Sequence, residues 1–416
     1  MSIYLENLTF TSFFFVFKKE FLKDFSQRGE KIIYFIDASK IGSLCGQLFG
    51  KIFGIEFQQL KFKMIDIKDE NGELVRLRIP RIDLFEIQNK IIQSIEYHQL
   101  YHPKWKLNRL EEFLKKGFID GGNKDNLSCS RILYLINVIH WHNKSQIIHE
   151  CQLIIERRAW FNIYKEYASN FNIELIESTR MSKIKPQKSI KQFIEKSPYL
   201  YALFRNLKNK KYNSKIKTTQ SKLPKLYLEG RGDVNLVNNG HHSDFFWQMN
   251  SDFDANNLLY NALSDEESLL LRKSNICVSD GTFKSVKRNC KTHYCCTSSD
   301  FIEERKLIQK QLSNYNSIIN DWYSYFKQYN VKIWLTWHKY DNSHMAVADA
   351  ISDCGGISAI WQMAFDGLPW YDCKINSDII FSHSAFSKEI DKKLGSNYTY
   401  NIITGYPKDY AGKKLK

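Results

Sequence analysis

Apolar positions along this chain change their period several times, and each change marks an element. Lys31-Ile-Ile-Tyr-Phe-Ile36 is a short unbroken apolar run, the length a buried strand needs. A helical stretch from Ser43 to Phe53 follows, with Gly54 placed to stop it. Phe62 to Ile67 and Leu74 to Ile79 flank Asn71-Gly72, which predicts a hairpin closed by Pro80. Ile82 to Tyr97 returns to helical spacing. Between 128 and 200 the apolar run Ile132 to Ile139 predicts helix. So does the stripe Leu153, Ile154, Trp160, Ile163 and Tyr164 within Cys151 to Tyr167.

From Lys225 the pattern becomes regular. Lys225 to Glu229 reads as a strand ending at Gly230-Arg-Gly-Asp233, and Asp244 to Met249 as a second. Ala255 to Leu263 is compatible with helix, Asn275 to Ser279 with a third strand, and Ile302 to Tyr329 with one long helix. Strands are then expected at Val331 to Trp337, Ile357 to Phe365, Asp378 to Ser382 and Tyr398 to Thr404. Helices His344 to Ser352 and Ala385 to Leu394 separate them, stopped by Gly355-Gly356 and Gly395. Strands alternating with helices through short loops predict parallel βαβ units. The fold class is therefore α/β, with a Rossmann-like, doubly wound parallel sheet in the C-terminal half, preceded by an α/β plus helical N-terminal region. The expected organisation is an α/β region over 1–125, a mainly helical region over 126–204, a basic linker over 205–225 and a Rossmann-like domain over 226–416.

Composition adds few constraints. The chain has 416 residues, 43% of them hydrophobic, enough for more than one core. The apolar run Leu8 to Phe17 is too short to span a bilayer and lacks a basic leader, so a cytoplasmic protein is expected. Nine cysteines are compatible with a reducing compartment. Cys290, Cys295 and Cys296 near His293 lack the second ligand pair of a zinc site, and His241-His242 with Asp244, though it has ligands for a metal, reads as a surface loop before a strand, so no metal is expected. The net charge of +15 favours anionic surroundings, and Arg205 to Lys225 holds eight basic residues and no acid. No aromatic pattern suited to base stacking runs through that stretch, so it reads as a linker or a membrane-surface contact rather than a nucleic-acid site. Gly281 belongs to no dinucleotide fingerprint.

Several short segments resemble the two-Rossmann (GT-B) glycosyltransferases and glycerophosphotransferases of bacterial surface-polysaccharide biosynthesis. They are Leu226-Tyr-Leu-Glu-Gly230, Ser243-Asp-Phe-Phe-Trp-Gln248, Thr336-Trp-His-Lys-Tyr-Asp341, Ile360-Trp-Gln362, Asn376-Ser-Asp-Ile-Ile-Phe-Ser382 and Ile402-Ile-Thr-Gly-Tyr-Pro407. The resemblance covers roughly 128 to 410, and its order and spacing carry more than any single motif. It implies transfer of a sugar or glycerol phosphate from a nucleotide-activated donor to a glycan or lipid-linked acceptor, with no resident cofactor. In such proteins Gly-Tyr-Pro leads into the donor-holding domain, whereas here nine residues follow Pro407. The expectation is therefore an acceptor-side module whose donor domain is missing or sits on a separate chain.

Ligands of open α/β sheets sit at the carboxyl ends of strands, near the switch in strand order. That rule selects His338, Lys339, Asp341 and His344. His338 or Asp341 would be the base that accepts an acceptor proton, and Lys339 with the helix start would hold an anion. Asp341 or Asn342 could equally serve as a helix cap. Gln362 could bond a sugar hydroxyl or satisfy a loop backbone, and Glu229 with Arg231 could line the cleft or form a solvated pair. Arg157 and Arg158 near Trp160 suggest an anion-binding face or a docked amphipathic helix. The alternative to an enzyme is a non-catalytic module that holds a glycan or an anionic membrane surface.

Overall fold

The computed structural model describes residues 2–16, 32–94, 97–98, 107–120, 129–146, 150–156, 158–178, 223–230, 244–245, 247–248, 251–279, 281, 283–286, 295–296, 302–364, 369–370 and 373–406. The chain divides into two compact units. One comprises Met1–His98, Gly117–Ile184 and Cys296–Gln309, the other Gln99–Lys116, Lys185–Cys295 and Lys310–Lys416. Most of the basic stretch, and Arg231, lie outside the described residues.

The first unit is built on a five-stranded parallel sheet, from β1 (Ser2–Leu8), β2 (Ile32–Ala38), β3 (Glu56–Gln59), β4 (Cys151–Glu156) and β5 (Ile173–Ser178), in the order β3-β2-β1-β4-β5. Its core joins Ile3, Leu5 and Leu8 of β1 to Ile33, Phe35 and Ile154. This sheet corrects the expectation of a helical stripe over Cys151 to Tyr167, while the expected helix over Ile132 to Ile139 lies within Cys129–Gln146. Only Phe161–Ser169 of the expected stripe is helix. Cys151, Leu153, Ile154 and Ile155 are all buried, so both faces of β4 are covered and its apolar run reads ambiguously as helix or strand. Between β4 and the helix, Trp160 takes a left-handed backbone at φ 58°, and its N–H donates to Glu304 at 2.8 Å.

The expected hairpin is also corrected. Gly72 makes the turn, but pairing is limited to one antiparallel bridge, Lys68 with Leu74. Val75–Arg78 then starts a helical run that passes through a π segment, Ile79–Asp83, into Leu84–Gln93. Val75, Ile79, Ile87 and Ile91 are buried at multiples of four, so helical burial outcompetes the second strand. Pro80 stands inside this run and cannot donate to the Arg76 carbonyl, which accepts from the Tyr134 hydroxyl at 3.4 Å instead.

The second unit holds a seven-stranded parallel sheet. Its strands are β6 (Lys225–Leu228), β7 (Leu258–Asn261), β8 (Cys277–Ser279), β9 (Val331–Thr336), β10 (Ile357–Trp361), β11 (Ile379–Ser382) and β12 (Tyr400–Ile403). The order is β12-β11-β10-β9-β6-β7-β8, so the chain builds outward from β6 in one direction, then returns to its other side with β9. That is doubly wound, Rossmann-like topology, with the switch between β6 and β9. The long helix Ile302–Tyr329 precedes the return, and Asn330 ends it with φ 51°. The expected helix over 255–263 is instead β7, because Leu258, Leu259 and Tyr260 are all buried beside β6. Asp244 and Phe245 lie in a turn rather than a strand, and the Asp244 carboxylate accepts from the Tyr260 hydroxyl at 2.9 Å.

Candidate active site at the switch point of the C-terminal sheet

The register of β6 on β9 decides what meets at the switch. Leu228 pairs with Leu335, and the Glu229 N–H donates to the Leu335 carbonyl at 2.9 Å. Glu229 therefore leaves the end of β6 level with Thr336, while Trp337 and His338 leave the end of β9. Gly230 is required by close approach: a Cβ there would lie 2.0 Å from the Tyr260 hydroxyl oxygen.

Glu229 is half-buried, and its carboxylate accepts from the Trp334 indole N–H at 3.1 Å. Burial pushes this carboxyl above its usual range. Hydrogen bonds from Thr336 and Trp334 and the nearby His338 pull it back in part, and the Asp341 carboxylate adds to the rise. His338 is about a third exposed, with Nδ1 3.8 Å from Asp341 Oδ1. The rings of Trp337 and Tyr340 meet it edge-on, with centroids at 5.3 and 6.0 Å. Asp341 also accepts from the Ser343 N–H at 2.9 Å and hydroxyl at 2.6 Å. It thus closes the first turn of the helix Ser343–Asp353 while standing beside His338.

His344 plays a different part from His338. It is buried inside that helix, and its Nδ1 lies 2.9 Å from the Asp341 carbonyl. A carbonyl only accepts, so Nδ1 carries the proton and Nε2 is bare. Among the described residues Nε2 has no hydrogen-bond partner. Burial, reinforced by the Lys116, His338 and Arg109 charges, holds the pKa of His344 well below its ordinary value, so the ring is neutral. In the unfolded chain it titrates near ~6.5. Below that pH the unfolded state binds the extra proton, and stability falls as pH falls. The unit is expected to lose up to about 1.4 kcal/mol per pH unit from this group alone. Melting scans from pH 7.5 to 5.5 check it: His344→Gln should flatten the acid loss, and an unchanged slope would assign that loss to other groups.

The other expected site residues are distributed along the same edge. Lys339 is buried, and its carbonyl accepts from the buried Lys116 at 2.6 Å. Asn342 donates to the Phe113 carbonyl at 3.1 Å, so the segment around Phe113 and Lys116 fixes the loop that carries His338. Gln362 follows β10 and is buried. Its side-chain oxygen accepts from the His383 N–H at 2.9 Å, and its carbonyl accepts from His383 Nε2 at 2.7 Å. It joins the ends of neighbouring strands. The geometry therefore brings together Glu229, His338 and Asp341, with Trp337 and Tyr340 flanking the imidazole.

No family model, curated protein or solved structure matches this chain. Among the described residues no helix is long and apolar enough to cross a membrane, and no group of three or more His, Cys, Asp and Glu could hold a metal ion.

Residues outside the sequence reading complete the unit. Arg109 is fully buried and donates Nε to Asn376, Nη1 to Asp349 and Nη2 to Asp378, each at 3.0 Å. Asp378 also accepts from the N–H and hydroxyl of Ser358 at 2.8 Å each, and Ser377 donates to the Ser358 carbonyl at 3.0 Å. Ser377-Asp378, singled out in the sequence, thus ties the amino ends of β10 and β11. No local signal marks Arg109, because its partners lie more than two hundred residues away in the chain.

The switch point of the N-terminal sheet, between the ends of β1 and β4, is occupied by its own charges. Glu6 accepts from Arg131 at 3.0 Å and from the buried Arg158, and Arg131 also reaches Asp37 at 2.5 Å. Arg158, read as part of an anion-binding face, is committed to Glu6. Arg157 lies outside the described residues.

Proposed function

We propose that the C-terminal unit is the catalytic part of a glycosyltransferase-like enzyme, moving a sugar or glycerol phosphate from a nucleotide-activated donor to a hydroxyl acceptor. The observation that carries the reading is the His338–Asp341 pair beside the half-buried Glu229 carboxyl, at the switch point of a doubly wound sheet. In this reading His338 takes the acceptor hydroxyl proton as the oxygen attacks the transferred group, the bond from that group to the nucleotide's phosphate breaks, and the nucleotide leaves with the bonding electron pair. Asp341 holds the ring and offsets the charge it acquires. Glu229, with a raised pKa, hydrogen-bonds a substrate hydroxyl, and Trp337 and Tyr340 supply apolar walls of the kind a sugar ring packs against.

Two Rossmann-like sheets lie within this one chain. Where the sequence led to the expectation that the donor domain is missing or sits on a separate chain, this proposal assigns donor binding to the chain itself, a reading these two sheets support. A thermal-shift panel with UDP, GDP, CDP, CMP and their sugar or glycerol conjugates tests it. A ligand at a hundred times its dissociation constant stabilises by ~2.7 kcal/mol, or several degrees for a unit of this size. One nucleotide class should raise the midpoint, and its conjugate should raise it further in the parent than in Glu229→Gln. A midpoint unmoved by every conjugate would remove the donor from this chain and the reading with it.

A further inference from the structure

The helix α2 (Lys40–Phe53), which follows α1 (Phe10–Val16) in the first unit, is amphipathic the wrong way round. A surface helix normally turns its large apolar residues inward and its polar ones to water. Here the buried residues are Gly42, Gly46 and Gly50. The large ones point out: Ile41 is 64% exposed, Leu44 58%, Leu48 55% and Ile52 70%. The glycines are there because the helix backbone lies almost on the sheet. A Cβ on Gly42 would stand 1.9 Å from the Leu8 carbonyl oxygen, and one on Gly50 2.5 Å from that of Ile55. Among the described residues the core thus makes no use of the aliphatic face, and the helix ends cleanly on Gly54 at φ 66°.

At about 100° per residue, Leu44, Leu48, Ile41 and Ile52 fall within one arc of roughly 80°. Phe49 and Phe53, also exposed, extend it towards the glycines. Lys40 and Lys51 both lie on the opposite border of the arc, one near each end of the helix, and the helix carries no acidic residue. An apolar stripe with cations along its edge and no anion matches the boundary between acyl chains and acidic headgroups. A second copy of the chain matches it less well, because antiparallel pairing of two such faces would bring the two lysine borders together.

We propose that α2 seats its Ile41–Leu44–Leu48–Ile52 face in the surface of an anionic bilayer, with Lys40 and Lys51 at the headgroups, and so holds the protein peripherally on a membrane. The proposal is independent of the catalytic reading. It is tested by co-sedimenting the full chain with vesicles of phosphatidylcholine, alone or mixed with phosphatidylglycerol. The parent should pellet with the mixed vesicles. Leu44→Glu/Leu48→Glu places charge only on exposed positions, so it should melt like the parent yet bind at least about tenfold more weakly. Lys40→Gln/Lys51→Gln should lose the preference for phosphatidylglycerol. Equal pelleting of the glutamate variant would overturn the proposal, since attachment would then run through other basic residues. So would no pelleting of the parent with either vesicle. A parent dimer in light scattering that the glutamate variant breaks, without vesicle binding, would assign the face to a second copy instead.

Discussion

Arg109→Ala is expected to lower the melting midpoint of the C-terminal unit by about 10 °C, from a loss of roughly 3–5 kcal/mol. The magnitude follows from what the substitution leaves behind. Arg109 is fully buried, and its three donors satisfy Asn376, Asp349 and Asp378. Burial already raises the Asp349 carboxyl above its usual value despite the guanidinium beside it. Without Arg109 that carboxyl would be held by the Tyr315 hydroxyl with no cation, and its pKa would rise further. A group whose folded pKa lies above its unfolded one takes up protons on folding, so the share of the loss that comes from Asp349 should be recovered as pH falls from 7 towards 5. The gap between parent and variant should therefore narrow in acid. Arg109→Lys keeps the charge but loses the planar fork, and should fall between the two. Differential scanning at both pH values measures this, and a variant melting with the parent at pH 7 would mean that the network contributes nothing net.

Arg109 also shows where local pattern stops being informative. The C-terminal alternation is legible because its strands are short, the inner ones buried on both faces, and separated by helices with definite stops. Ala385–Leu394 ends at Gly395 with φ 65°, and Ile302–Tyr329 ends before the left-handed Asn330, both where the apolar period breaks. In β4 and β7 the apolar runs have no such partner signal, and only neighbouring strands make them extended. The α2 pattern is legible as a helix, but its orientation is not: periodicity places Leu44 and Leu48 on one face without saying that the glycines take the inside. Strand order is the least local property of all. That His338 and Asp341 share a loop is plain in the sequence. Glu229, about a hundred residues earlier, joins them only because β6 and β9 are neighbours.

If that junction is a catalytic centre, His338→Ala should reduce kcat by 10²–10⁴, on the order of what a positioned general base contributes. The KM for the donor should change little, because the imidazole acts on the acceptor proton rather than on the nucleotide. A base that must be unprotonated gives an acid limb in the pH–rate profile, and that limb should vanish with the ring. Asp341→Asn tests the pair differently. Its side chain can still accept from Ser343, so the helix start survives, while the charge 3.8 Å from His338 Nδ1 is gone. The imidazolium formed during transfer then loses its counter-charge. A fall in kcat with the donor KM unchanged would place Asp341 behind His338. Glu229→Gln keeps the shape and the hydrogen bond from Trp334 but cannot change protonation. If Glu229 only binds a hydroxyl of the donor's transferred group, the glutamine form should raise the donor KM and spare kcat. If Glu229 itself moves the proton, kcat should collapse in Glu229→Gln and largely survive in His338→Ala. The two carboxylates and the histidine thus give three separable signatures, and a transfer rate untouched by all three substitutions would take the chemistry away from this switch point.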